Sequence, residues 1–180
     1  MQARAPTVAH PFVWTVLYLP FGAMSGFVTV ALTFLATTNG LSITEGSFFN
    51  GAQLLSQWLK WTWAPAVDVT LTPKKWYLIG TGTSALGVVS MSAIPMNHAT
   101  LPWLLVVVAI ASLVNSIVGM AIESIMAQCT TPEEQGRTSA WFQAGNLGGA
   151  GLGGGLGLTL LSRLPEPWMA GAILGGLFMA

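Results

Sequence analysis

Residues 101–127 read LPWLLVVVAIASLVNSIVGMAIESIMA, with Glu123 the one charged side chain in the run. At about 1.5 Å of rise per residue a helix of this length reaches roughly 40 Å, more than the roughly 30 Å of a bilayer's hydrocarbon core. A helix this long on a soluble protein needs a charged face toward water, and here there is none. The stretch is therefore expected to cross a membrane.

The same pattern recurs on both sides of it. Apolar segments near 12–38, 46–67, 76–95 and 139–162 are each long enough for a span, and a shorter run occupies 168–180. Of the 180 residues 53% are apolar and 7% are Asp, Glu, Lys or Arg, against about 25% charged in soluble domains. Lipid has to cover most of such a surface. The balance of six basic and six acidic residues leaves no basic footprint for nucleic acid. Cys129 is alone, which excludes an intrachain disulfide or a cysteine zinc site. The first apolar run is far longer than the roughly 7–15 residues of a signal-peptide core, so it reads as the first span. Pro20 and Gly22 make a bend in it an expectation. The last run is too short to cross; a helix cut short by the end of the sequence, or a re-entrant segment, accounts for it.

Charges in the short loops orient the chain. With the amino terminus cytoplasmic, Arg4, Lys60, Lys74, Lys75 and Arg137 fall inside and Arg163 alone outside. Trp58, Trp61, Trp63 and Trp76 then crowd the inner interface, with Trp103 and Trp168 at the outer one, where amphipathic rings favour the headgroup level.

Polar side chains inside lipid are costly, so their placement is informative. Asn50, Gln53, Gln57 and Lys60 share about 80° of arc on one helix, with Asp68 on the same side. Such a stripe faces either a substrate or ion path or other helices that it hydrogen-bonds. Lys60 is near enough to the inner end to snorkel. Ser112, Asn115, Ser116, Gly119 and Glu123 form a second stripe within roughly 100°. Glu123 is a coupling proton site or half of an ion pair with Arg137 or a lysine. Gly145, Gly149, Gly153 and Gly157 make three GxxxG steps, which permit close helix packing. The Gly80–Ala85 segment fits a dinucleotide fingerprint only formally, since it lies in an apolar span. With no P-loop, no metal-ligand pattern on His10 or His98 and no nucleophile–base set, neither enzyme, cofactor nor metal is expected.

Two inner loops carry a family resemblance. Residues 60–68 read KWTWAPAVD and 73–76 read PKKW, between the second and third spans. This resembles the G-x-x-x-D-R-x-G-R-[RK] loop of the major facilitator superfamily, and more closely its muropeptide permease group. Residues 132–137, PEEQGR, are similar to the Pro-x-Glu-Glu-Arg-Gly segment of that group. Val69 and Gln135 stand where the group has arginine, and its fourth-span Gln-Asp pair is absent near Val118 and Gly119. The resemblance implies an all-α membrane protein: the six-helix half of a larger bundle, made of two inverted three-helix repeats, with its last helix truncated. It implies alternating-access transport of a small organic solute, coupled to protons, together with a missing carboxy-terminal half, in a bacterial inner membrane. Asp68, Lys74, Lys75 and Arg137 would belong to an inner gating network; enforcing topology is their other reading. A small oligomeric structural or channel-like membrane protein is the alternative.

Overall fold

The computed structural model describes residues 10–179; for Trp63, Ala66 and Asp68 it describes the backbone alone. Arg4 lies outside the described residues. Among those described there are six helices and no strands: α1 (Phe12–Thr38), α2 (Ile43–Val69), α3 (Pro73–Ala93), α4 (Leu101–Cys129), α5 (Gln135–Arg163) and α6 (Pro167–Phe178). The chain is all-α.

Local chemistry sets the ends of these helices. At the end of α1, Gly40 takes φ of 93°, which costs glycine little. Its N–H donates to the Thr37 carbonyl, and the Leu41 N–H donates to that of Ala36. This is a Schellman stop. Ser42 then caps α2 in a reciprocal box with Glu45, the Ser42 N–H donating to Glu45 Oε2 at 2.8 Å. Proline opens α3 at Pro73, α4 at Pro102 and α6 at Pro167, where a missing N–H costs nothing. The helix α1 runs through Pro20 and then widens into a π turn at Phe27–Leu32. The Thr33 hydroxyl donates five residues back to the Val28 carbonyl at 3.2 Å. Nothing in the sequence pattern announces that turn.

Short connections make neighbouring helices antiparallel. The 39–42, 94–100 and 164–166 loops gather at one end, and the 70–72 and 130–134 loops at the other. The most extensive packing is between α1 and α5, followed by α3 with α4, α3 with α6, and α2 with α4. Exchanging the first three helices with the last three turns the α1–α5 pair into α4–α2. It returns α1–α4 and α3–α6 to themselves, and α2–α3 becomes α5–α6. The exceptions are α1–α2, α1–α3 and α3–α4, whose counterparts α4–α5, α4–α6 and α1–α6 have no comparable contact. Between α1 and α6 lies an apolar cleft of about 270 Å³, flanked by Leu19, Pro20 and Phe178.

The larger core joins Met24, Phe27, Phe49, Val88, Leu104 and Leu174 from five helices. A smaller one, toward the other end, holds Trp14, Tyr18, Val118, Ile122 and Phe142. The outside is also apolar: Leu54, Leu86, Ile110 and Leu147 are all exposed. Two helices, Phe12–Thr38 and Leu101–Cys129, are long and apolar enough to cross a membrane. Spans were expected over α2, α3 and α5 as well. Their apolarity is diluted by the α2 polar stripe, the Ser and Thr of α3, and the glycines of α5.

Candidate functional site

Where α2 meets its neighbours, the polar stripe stands beside the packing contact rather than forming it. Gly46 approaches α1, since a Cβ there would lie 3.0 Å from Thr33 Cγ2. Ser56 faces α4 and donates to the Ala109 carbonyl at 2.7 Å. Gln53 is seven residues from Gly46 and three from Ser56, on the same side of the helix. It is buried to 9% exposure and has no hydrogen-bond partner among the described residues. Asn50, Gln57 and Lys60 are half-buried and equally unpartnered among the described residues. Among the described residues two interhelical bonds tie α2: the Thr33 hydroxyl of α1 donates to the Gly46 carbonyl at 3.5 Å, and Ser56 donates to α4. Sequence alone does not single out Ser56, because one serine in an apolar helix carries no pattern.

The second stripe divides. Asn115 is buried at the junction of three helices: its Oδ1 accepts from the Ser84 hydroxyl of α3 at 3.1 Å, and its Nδ2 donates to the Phe21 carbonyl of α1 at 3.2 Å. Ser116 donates to its own helix at Leu113. The buried Ser112 hydroxyl has no partner among the described residues. Gly119 leaves room for the Tyr18 hydroxyl, which would stand 3.1 Å from a Cβ there. Glu123 is half-buried and lines a cleft between the end of α4 and the start of α5. Among the described residues it makes no ion pair with Arg137, Lys74 or Lys75; the one acid–base pair there is His98–Glu45, at 2.9 Å on the opposite end. The side chain of Asp68 lies outside the described residues, so the structure places only its backbone, in the last turn of α2.

The α5 glycines have a definite partner, α1. Cβ atoms at Gly145 and Gly149 would stand 2.5 Å from the carbonyl oxygens of Thr15 and Leu19. One at Gly153 would collide with the Ala23 carbonyl, and one at Gly157 would press on Ala31 and Phe27. Gly22 and Gly26 of α1 answer them, each set against α5 backbone at Asn146 and Ala150. The Thr15 hydroxyl adds a bond to the Trp141 carbonyl at 2.7 Å. Gly22, read from sequence as part of a bend, serves this close approach. A proline ring crowds the carbonyl four residues earlier and loosens the turn around it. In that turn of α1 the Tyr77 hydroxyl donates to the Leu17 carbonyl at 3.1 Å.

No protein-family model matches the chain, and no solved structure matches it.

Proposed function

We propose that the chain is the amino-terminal half of a proton-coupled transporter of a small organic solute, working by alternating access in a bacterial inner membrane with its amino terminus cytoplasmic. The observation that carries this reading is Gln53, a residue only 9% exposed between helices whose amide has no partner among the described residues and is not itself sealed from the surface. An amide that served packing would be hydrogen-bonded across the interface, as Ser56 is. Asn50 and Gln57 on the same helix, half-buried and also unpartnered among the described residues, extend the set of polar groups that a solute could engage. Helix pairings that survive exchange of the two three-helix sets support an origin in inverted repeats. The apolar exterior, with Trp103 71% exposed near the start of α4 and Trp58 and Trp61 more than 70% exposed along α2, supports a lipid surround for the whole bundle. Resemblance to the major facilitator superfamily rests on the two inner loop motifs.

The test is uptake into vesicles by the full-length transporter, with and without an imposed proton gradient. Gradient-driven uptake that falls severalfold or more in Gln53→Leu and is uncoupled in Glu123→Gln is expected. Uptake indifferent to both substitutions would overturn the assignment of these residues.

A second reading, an oligomeric structural or channel-like membrane protein, is favoured by one face of α5. Ala140, Ala144, Gly148, Gly151, Gly155, Thr159 and Ser162 recur at helical spacing, and all are exposed. A Cβ at Gly148, Gly151 or Gly155 would meet nothing. The mass of the purified protein in detergent separates the two readings: several copies per particle favour the second.

A further inference from the structure

At the end of the bundle bearing the 70–72 and 130–134 loops, the end of α4 and the start of α5 line one cleft with five polar side chains beside Met126 and Ala127. Glu123, Met126, Ala127 and Thr130 recur at i, i+3, i+4 and i+7 along the end of α4. Gln135, Thr138 and Ser139 recur at i, i+3 and i+4 at the start of α5. Together they enclose about 200 Å³. Thr138 is 3% exposed, lines this cleft, and its hydroxyl has no hydrogen-bond partner among the described residues. The Glu123 carboxylate accepts no hydrogen bond and makes no ion pair among them either.

We propose that this cleft, whenever Glu123 is without its proton, binds a monovalent metal cation, held by the Glu123 carboxylate with the Thr138, Ser139 and Thr130 hydroxyls and the Gln135 amide oxygen. Charge excludes an anion, because no lysine or arginine lines the cleft and α4 directs the negative end of its dipole there. Glu133 and Glu134, in the turn before α5, offset the positive end of that helix. A divalent ion is disfavoured by ligand count, since calcium and magnesium sites draw on more carboxylates than one. No aromatic ring lines the cleft to hold a quaternary ammonium group. What remains is an ion satisfied by one charge and several neutral oxygens, with water filling the rest of the volume.

Binding at rest is read without transport, so its failure and that of the uptake test are distinguishable. Thermal unfolding of the purified full chain is followed in NaCl or KCl, with choline chloride holding the ionic strength constant. A saturable rise in the midpoint with sodium or potassium, absent in choline, is expected. Glu123→Gln should abolish it. Thr138→Val should weaken the apparent affinity about fivefold, the scale of one lost oxygen contact, while Thr138→Ser keeps it. Should Glu123→Gln fail to fold, equilibrium dialysis of radioactive sodium on the wild type and the two Thr138 variants reads the same quantity. Equal midpoints in choline, sodium and potassium, a shift produced by methylammonium but by neither metal ion, or full binding in Thr138→Val would each overturn the site.

Discussion

Asn115 is the polar residue whose deletion has the most direct structural consequence. Its amide ties α4 both to the Ser84 side chain of α3 and to the α1 backbone, and removing it takes the partner of the buried Ser84 hydroxyl and the interhelical bond to the Phe21 carbonyl. Asn115→Ala should destabilise the fold by about 0.6–1.7 kcal/mol, from the average to the largest value measured for one such bond in a membrane bundle. Ser84→Ala should cost less, because the Phe21 bond survives. Denaturant unfolding in mixed micelles measures both. Glu45, outside the apolar 46–67 segment, makes a different prediction. The Ser42 backbone N–H first, then the Ser42 hydroxyl and His98, hold its carboxyl below the ordinary 4.5. A lowered carboxyl contributes stability above the unfolded value that is lost as pH falls through the folded one. Wild type should therefore exceed Glu45→Gln in unfolding midpoint at neutral pH, and the two should converge as the pH drops below 4.5.

Among elements, the α1–α5 pair decides the shape of the bundle. Gly153→Ala places a methyl group against the Ala23 backbone, which no rotamer can move aside. Overpacking of this kind costs about 1–3 kcal/mol. Gly151→Ala, two residues away on the open side, should be neutral or stabilising by up to about 1 kcal/mol, since alanine is the better helix former. Comparing the two unfolding midpoints isolates the contact from helix propensity. GxxxG spacing was legible in the sequence; its partner was not, because Gly22 and Gly26 lie far away along the chain, and Gly22 reads locally, with Pro20, as a bend signal.

For the whole molecule, the prediction concerns solvent. If lipid surrounds the bundle, the protein should stay in the membrane pellet through alkaline carbonate and dissolve only in detergent. Cysteine introduced at exposed Glu133 should be labelled from the cytoplasmic side, and at exposed His98 from the opposite side. Labelling of both from one side would refute the topology. Two helices meet the length and apolarity of a span on their own; α2, α3 and α5 would cross as members of the bundle, with their polar and glycine faces covered by neighbours.

Composition and periodicity determined the character of residues 101–127 and, with it, an all-α chain of six helical segments. The approximate ends of those segments are marked locally by proline, glycine and capping residues. Asn50, Gln53, Gln57, Lys60 and Glu123 were visible because a polar residue in an apolar run stands out. Which of those groups are paired was decided only by tertiary structure. Asn115 became a three-helix tie while Gln53 stayed unpartnered among the described residues, though both are amides in membrane-length helices. The reason is physical: burial cost can be read from one helix, but a hydrogen-bond partner belongs to another helix, and sequence spacing carries no record of it. Ser56, Ser84, Tyr77 and the π turn of α1 escaped for the same cause.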